Sequence, residues 1–376
     1  MSSGSGIEWT EATWNPVTGC TRVSAGCDHC YAVTMTHRLE GMERARRPRN
    51  GTENGRKAKP GEKYVGLTVV NPRGDRHFNG NVKTHEDALE IPLRWRKGRR
   101  IFVNSMADLF HEKVPFDFID RVFAVMALCP QHTFQVLTKR PERMAEYFSS
   151  KPGNAIGRAA EVLISTKVST FDARVSYPIL HPARGLVGVG TGSPMERPEW
   201  PLRNVWLGTS VENQAAADER IPHLLRCPAA VRFLSVEPML GPVDLSAFFG
   251  GPYVGLPGDV VHASYNFGIG WVICGGESGA NARPFDVAWA RSLREQCKAA
   301  GVPFFMKQMG TMVHCRNDHV SDWLDEIGMG LDYVDTIETR MQGDPVRVLL
   351  KDRKGVDMSE WPEDLRVREM PEGAKR

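Results

Sequence analysis

The sequence predicts an α/β fold, built as a partial or complete parallel (β/α) barrel, from three observations. Short apolar runs that end in polar or glycine residues recur along the chain, which is typical of strands buried on both faces of a parallel sheet. Amphipathic stretches of helical length separate these runs, as expected for right-handed βα crossovers. The chain of 376 residues is long enough for one large barrel with additions.

Seven segments are predicted as the strands of this sheet. The first is TWNPV at residues 13–17. The other six are the apolar runs at 100–108, 133–140, 204–213, 231–239, 271–279 and 303–310. With the helices between them they give about seven βα units.

Five stretches are predicted as helices, at 31–47, 116–128, 141–149, 213–226 and 286–300. Their ends carry start and stop signals. Pro141 stands in a first turn, Asp286 begins another helix, and Gly301 follows its last residue.

Two segments break the alternation of strands and helices. Residues 150–203 are rich in Gly, Pro and Ser and are predicted to form an insertion between the third and fourth strands. The predicted barrel domain spans residues 1–310 and includes this insertion. Residues 311–376 follow the last strand and are predicted to form a C-terminal cap packed on the barrel.

Hydropathy and the N-terminus predict a cytoplasmic protein without a membrane partner. No apolar run approaches the roughly 18 residues of a membrane span, and the sequence MSSGSGIEW has neither a basic nor an apolar targeting region. In a reducing compartment, clustered cysteines are more typical of metal ligands or catalytic groups than of disulfides.

Polar side chains follow six of the predicted strands where each strand ends. They are Asn104, Ser105, Asp108, Thr138, Lys139, Arg140, Thr209, Ser210, Glu212, Ser235, Glu237, Glu277, Ser278, Lys307 and Gln308. The carboxyl ends of the strands form the active-site face of (β/α) barrels, so these residues predict a polar cavity. Individual serines and threonines among them could instead cap the helices that follow.

Three of the eight cysteines, Cys20, Cys27 and Cys30, lie within eleven residues on the loop after the first predicted strand. A structural zinc site takes four ligands in a tetrahedron. Asp28 and His29 are poorly placed as a fourth ligand, because each is adjacent to a cysteine of the group. Three thiolates on one loop suit a [4Fe–4S] cluster that leaves one iron open to a substrate or cofactor.

This arrangement resembles the radical S-adenosylmethionine superfamily, whose usual spacing is C-x3-C-x2-C. Here the spacing is C-x6-C-x2-C, so the last interval is kept and the first is wider. The resemblance implies a barrel of the radical-SAM type. It also implies that the open iron binds S-adenosylmethionine and that an electron from the cluster cleaves this cofactor to methionine and a 5′-deoxyadenosyl radical.

More closely, the chain is similar to a phage and mobile-element family of three-cysteine-motif, radical-SAM-like proteins. The similarity is carried by IEWTEATWNPVTGC (7–20), CDHCYA (27–32), LTKRPERM (137–144), LGTSVEN (207–213), SVEPMLGP (235–242), CGGESGANARP (274–284), AGVPFFMKQMG (300–310) and WPEDLRVREMP (361–371). It implies a protein of the host cytoplasm that acts on DNA or a nucleotide and takes electrons from a flavodoxin-like or ferredoxin-like donor.

The resemblance also implies roles for individual positions. VNSMAD replaces the Gly-Gly-Glu that superfamily members carry after the second strand, and its Asn104 and Ser105 are expected near the methionine end of the cofactor. The residues expected near the ribose and carboxylate are Thr209, Ser210, Ser235 and Glu237. The backbone at Gly275 and Gly276 is expected to approach the adenine. The catalytic candidates are Lys139, Glu277, Lys307 and Gln308.

Local basic charge indicates an anionic substrate. Residues 43–63 carry eight Lys or Arg against three Glu, and RWRKGRR at 94–100 carries five around Trp95. The nucleic-acid-binding candidates are Trp95, Arg96, Lys97, Arg99, Arg100 and Arg140. A base flipped out of a duplex could stack on Trp95 or Trp14, although Trp14 fits a core position better. Both basic segments could instead be solvated surface.

Three other functions remain open from the sequence. The cysteines could hold zinc or a structural iron–sulfur cluster without catalysis, or the protein could be a redox enzyme with a second electron carrier. It could also be a nucleic-acid-binding protein without enzymatic activity, for which the basic segments would suffice.

Other thiols and one histidine have less specific interpretations. Cys129, Cys227 and Cys297 lie within or at the ends of helical stretches and are predicted to be core residues, and Cys274 is expected to pack in a strand. His111 could be a proton donor, a phosphate contact or an ordinary surface residue.

Overall fold

Seven strands form one parallel sheet. The computed structural model describes residues 5–46, 63–72, 74–150, 152–166, 177–181, 185–189, 201–250, 268–328, 334–335 and 345–372. The sheet strands follow each other in chain order as β1 (Ala12–Trp14), β2 (Arg100–Val103), β3 (Thr133–Thr138), β4 (Val205–Ser210), β5 (Val231–Val236), β6 (Trp271–Gly275) and β7 (Phe304–Gln308). This sheet is consistent with a partial (β/α) barrel, so the predicted α/β class is confirmed.

The first strand is shorter than its predicted segment. It pairs with β2 over Ala12–Trp14 and stops there, because Pro16 has no amide hydrogen with which to continue the ladder. Val17–Thr18 pairs antiparallel with Lys83–Thr84 in a separate two-stranded sheet. The chain therefore leaves the main sheet before it reaches the cysteines.

The described ranges contain seven helices of eight or more residues. They are α1 (Tyr31–Arg46), α2 (Phe116–Ala127), α3 (Pro141–Ser149), α4 (Gly153–Thr166), α5 (Gln214–Leu225), α6 (Val287–Ala300) and α7 (Asn317–Glu326). Five of them coincide with predicted helices to within one residue at each end. Asp286 caps α6 by accepting a 2.8 Å hydrogen bond from the amide of Ala288, and Gly301 ends it at φ 65°.

Backbone contacts divide the chain into two compact units. The first comprises residues 1–207 and 227–230, and the second comprises residues 208–226 and 231–376. This division falls within β4. The domain boundary predicted after residue 310 stays a prediction.

The first unit contains β1 to β3. β2 pairs with β1 on one side and with β3 on the other. Phe123 of α2 packs against Tyr147 and Phe148 of α3, with ring centroids 5.6 and 5.5 Å apart. Within the predicted insertion, α4 packs on α2 and buries Ile156 and Ala160, so this segment contributes to the core.

The second unit contains β5 to β7 and the C-terminal segment. Residues 367–369 run along β7, where the Met306 amide donates to Val367 at 2.8 Å and the Glu369 amide donates to Phe304 at 2.9 Å. These hydrogen bonds cover the outer edge of β7, which would otherwise present unpaired backbone groups. Phe285–Asp286, Val313–Arg316, Pro345–Val348 and Val334–Asp335 form a smaller four-stranded sheet in that order.

None of the helices in the described ranges combines the length and the apolar character that crossing a membrane requires.

Candidate functional site

The cysteine loop, residues 19–30, begins beside the carboxyl ends of β1 and β2. Gly19 forms an isolated parallel bridge with Ala107. Its φ is +87°, and a Cβ atom at this position would lie 2.1 Å from the carbonyl oxygen of Asn81. Only glycine fits such a close approach, so the start of the loop is fixed by the backbone.

Cys20 is held by an arginine side chain. One guanidinium nitrogen of Arg140, Nη1, lies 3.7 Å from the sulfur of Cys20 and 3.1 Å from Asp108 Oδ2. Its Nη2 donates to the carbonyl of Thr21 at 3.1 Å. Burial raises the pKa of the Cys20 thiol to about 12, and Asp108 acts in the same direction while Arg140 opposes it.

Asp108 links the ends of β2 and β3. Its carboxylate accepts hydrogen bonds from the Thr138 hydroxyl at 2.7 Å, the Lys139 amide at 3.1 Å and the Phe110 amide at 2.9 Å. The side chains of Asp108 and Arg140 are 8% and 13% exposed, so this ion pair is largely shielded from solvent. A buried pair with its remaining oxygens satisfied holds a defined geometry.

His111 is fully buried and supports the same end of the cysteine loop. Its Nδ1 accepts a 3.1 Å hydrogen bond from the Lys113 amide, so in the neutral ring Nε2 carries the hydrogen, which faces the Thr21 hydroxyl. Burial, helped by Arg140, lowers the pKa of His111 to about 4. The interpretation of His111 as a surface residue is wrong, because its ring anchors the residue next to Cys20.

Cys27 and Cys30 occupy the other end of the cysteine loop. Cys27 closes a single 3-10 turn, and α1 begins directly after Cys30. Burial raises the pKa of Cys30, whereas the amides of Ala32 and Val33 in the first turn of α1 lower it, as does the nearby charge of Lys139. The amides at the start of α1 therefore lie near the Cys30 thiol and favour its thiolate form.

The eight cysteines, all within the described ranges, form no disulfide, and Cys20, Cys27 and Cys30 are partly exposed. Cys129, Cys227, Cys274 and Cys297 are fully buried, which confirms their assignment to the core. Within the described part of the chain, no three His, Cys, Asp or Glu side chains converge as they would around a single metal ion. A [4Fe–4S] cluster makes a different demand, because each thiolate binds a different iron. Three reduced cysteines on one loop supply the donor chemistry for it.

Asn104, at the end of β2, combines a rare backbone conformation with a buried donor. Its φ is +60°, a region that non-glycine residues seldom occupy. Its Oδ1 accepts from the Val17 amide at 3.2 Å, but Nδ2 is buried and has no hydrogen-bond acceptor among the described residues. The neighbouring Ser105 forms two other hydrogen bonds. Its hydroxyl donates to the side-chain oxygen of Asn15, and its carbonyl accepts from the Tyr31 hydroxyl.

In the second unit the predicted strand-end charges pair with each other. Lys307 Nζ lies 2.5 Å from Glu237 Oε1. Arg283 binds Glu277 through two side-chain hydrogen bonds of 3.0 and 2.7 Å and through its amide at 2.9 Å. Three of these four residues, Glu237, Glu277 and Lys307, are positions that the sequence assigns to catalysis or cofactor binding.

Close packing requires glycine at position 276. A Cβ atom there would lie 2.1 Å from the carbonyl oxygen of Met309. The Gly276 carbonyl also accepts a 2.8 Å hydrogen bond from the side chain of Gln308. These contacts account for Gly276 and Gln308 within the fold, whereas a Cβ atom at Gly275 would meet only contacts of 3.4 Å or more.

The remaining cofactor candidates are buried in strands. Thr209, Ser210 and Ser235 are at most 4% exposed, in β4 and β5. The carbonyl of Ser210 accepts from Arg220, which also forms a buried ion pair of 2.9 Å with Glu212.

The basic segment at 94–100 precedes β2 and therefore lies at the amino ends of the parallel strands, opposite to the edge where the cysteine loop begins. Arg99 stacks over the Trp95 ring at 5.2 Å, and Arg100 lies 3.7 Å from Glu11. Arg96 and Lys97 are exposed. The nucleic-acid-binding role of this segment stays a prediction, and any such surface would lie away from the cysteine loop, because the segment enters β2 instead of leaving it.

Other nucleic-acid candidates have separate outcomes. Arg140 belongs to the Cys20 network described above. Trp14 is a core residue, 1% exposed, whose indole donates to the Ala88 carbonyl at 2.7 Å. Within the basic segment 43–63, residues 47–62 lie outside the described residues.

A family model matches residues 4–351, and the family is described as protein of unknown function (DUF5131). The chain belongs to this family. The match runs from the N-terminal segment through the cysteine loop and all seven strands of the sheet. No curated protein and no solved structure matches the chain.

The sequence interpretation missed the residues that support the cysteine loop. The sequence predicts Asp108 only as a strand-end polar residue and assigns no role to Thr21, Tyr31 or Glu112. Their position in the sequence is the feature that could have indicated a supporting role, since each lies beside a cysteine or in the segment after β2. Their contacts depend on which strands become neighbours.

Proposed function

We propose that this protein is a radical S-adenosylmethionine enzyme in which Cys20, Cys27 and Cys30 hold a [4Fe–4S] cluster. The observation that carries the proposal is the combination of three free thiols on one loop with the buried, unsatisfied Nδ2 donor of Asn104 at the end of β2. The donor set fits such a cluster, and the loop starts at the strand edge where barrel enzymes place their active sites.

When bound, the cluster would supply the electron that cleaves S-adenosylmethionine to methionine and a 5′-deoxyadenosyl radical. The chain's own residues would bind and orient this cofactor. Asn104 would donate its Nδ2 hydrogen to an oxygen of the cofactor, which would satisfy a buried donor that otherwise costs free energy. Lys139, whose charge acts on Cys30, would attract an anionic group to this edge.

The experiment is anaerobic reconstitution with iron and sulfide, reduction, and an electron paramagnetic resonance spectrum with and without S-adenosylmethionine. We expect a reduced [4Fe–4S] signal that changes on adding the cofactor, together with formation of 5′-deoxyadenosine. Cys27→Ala should lose both. Cys129→Ala, which replaces a buried cysteine at the end of α2, is the matched control and should keep both.

Other outcomes favour the other functions. Bound zinc in place of iron, or a cluster whose spectrum ignores S-adenosylmethionine, would contradict the proposal and favour a structural or redox role. A second bound electron carrier would favour the redox enzyme.

The substrate class follows from charge. We propose DNA or a nucleotide as the anionic substrate, bound at the edge that carries Lys139 and the cysteine loop. Single-stranded oligonucleotide affinity should fall steeply between low and physiological salt. Lys139→Gln should weaken binding more than the double variant Arg96→Gln with Lys97→Gln, because the latter pair lies at the opposite strand ends. A salt-independent affinity would argue against nucleic acid.

A further inference from the structure

We infer that Arg140 is a positioning residue that holds Cys20 in place as a cluster ligand and donates a hydrogen bond to its sulfur. The inference rests on the proposed function for the identity of the group that Cys20 binds. The positioning itself depends only on contacts within the chain.

Arg140 joins three segments of the first unit. Its Nε donates to Glu112 Oε2 at 3.2 Å and its Nη1 reaches Asp108, both in the segment after β2. Its Nη1 and Nη2 reach Cys20 and Thr21 in the cysteine loop. Its own amide donates to the Thr138 hydroxyl at the end of β3, at 2.8 Å.

The chemistry of these contacts requires arginine. A guanidinium presents several donors in a fixed plane, so it can bind a carboxylate, a carbonyl and a sulfur at once. Lysine would keep the positive charge but would present its donors from a single nitrogen. Substitution by lysine therefore separates the effect of charge from the effect of geometry.

The Arg140 contact is confined to one of the three cysteines. Among the described residues of this loop, the cysteine sulfur that accepts a side-chain hydrogen bond is that of Cys20, and its donor is Arg140. Cys30 instead faces the amides of Ala32 and Val33. Loss of Arg140 should thus loosen the Cys20 end of the loop and leave the Cys30 end in place.

The test compares Arg140→Gln and Arg140→Lys with wild type and with Arg121→Gln, a control that removes an arginine paired with Glu86 elsewhere in the same unit. In the metal-free protein, amide hydrogen exchange is measured for peptides covering residues 18–24 and 27–35. We expect exchange at 18–24 to rise about tenfold or more in both Arg140 variants, because charge-assisted hydrogen bonds are lost, with little change at 27–35.

The second readout is the midpoint potential of the iron-loaded protein. Arg140→Gln should shift it to a more negative value, because the positive charge and the N–H donor both favour the reduced cluster. Arg140→Lys should shift it less. A residue that only stabilises the fold would leave the potential unchanged in folded protein.

Two results would overturn the inference. One is exchange that rises equally in both peptides, or in neither. The other is a potential in Arg140→Gln equal to that of Arg121→Gln. If wild type itself holds no iron, the proposed function fails, while the exchange experiment still decides whether Arg140 positions Cys20.

Discussion

Cys20 and Cys30 stand at opposite ends of one loop and are supported in different ways. Cys20 depends on side chains from the segments after β2 and β3. Arg140, which is held by Asp108, reaches Cys20, and His111 reaches its neighbour Thr21. Cys30 depends on the backbone, since the first turn of α1 presents amides to its sulfur. A backbone donor is present whatever the side chain, whereas a side-chain donor can be removed by one substitution. The Cys20 end is therefore the part of the loop that mutation can tune.

The largest effect is expected to be the same for Cys20 and Cys30. Cys20→Ala and Cys30→Ala should each abolish stable binding of the cluster, because a [4Fe–4S] cluster held by three thiolates has no ligand to spare. The measurement is iron and sulfide content after reconstitution, with Cys227→Ala as the control for replacing a buried cysteine. Full iron content in either variant would show that the two are not equivalent ligands.

Asp108→Ala should destabilise the metal-free protein by about 3 kcal/mol, because it leaves Arg140 in a shielded position with only the exposed Glu112 as a carboxylate partner. The Thr138 hydroxyl and the Lys139 amide would lose their acceptor as well. Chemical denaturation at pH 7 measures this free energy of unfolding. Glu86→Ala, which removes the partner of the more exposed Arg121, should cost less than about 1 kcal/mol. Equal losses would mean that the Asp108 network is no more than a surface ion pair.

Acid should weaken the Cys20 end through His111. Its pKa is lowered from 6.5 to about 4 in the folded protein, so the folded state disfavours the proton that the unfolded chain binds. This contribution to stability is fully present above pH 6.5 and is lost as the pH falls toward 4. In His111→Gln, the part of the decline in unfolding free energy between pH 7 and pH 4.5 that comes from this ring should disappear. An unchanged pH profile would contradict the buried neutral ring.

The smallest effect is expected at the Cys30 end. Tyr31→Phe removes the hydroxyl that donates to the Ser105 carbonyl and should cost about 1 kcal/mol of unfolding free energy. Iron content and midpoint potential should stay at wild-type values, because the amides of the first turn of α1 remain. A potential shift as large as that of Arg140→Gln would remove the distinction between the two ends.

The strand ends of the second unit show what residue type alone leaves undecided. Glu237, Glu277 and Lys307 are charged and follow strands, as catalytic residues do in barrels. In the structure, Lys307 forms an ion pair with Glu237, and Arg283 forms one with Glu277. Residue type and strand position are local properties, but whether a charge is satisfied depends on its neighbour from another strand.

The sequence by itself determined the α/β class, the places of the seven strands, five helices to within a residue at their ends, and the cysteine loop. These features follow from hydrophobic periodicity, helix caps and cysteine spacing, which are properties of residues close together in the sequence. Tertiary structure alone decided that Arg140 meets both Asp108 and Cys20 and that His111 is buried. It also placed the 94–100 segment at the far strand ends. Those contacts join residues up to 120 positions apart, and no local pattern specifies them because they arise only when β1, β2 and β3 become neighbours.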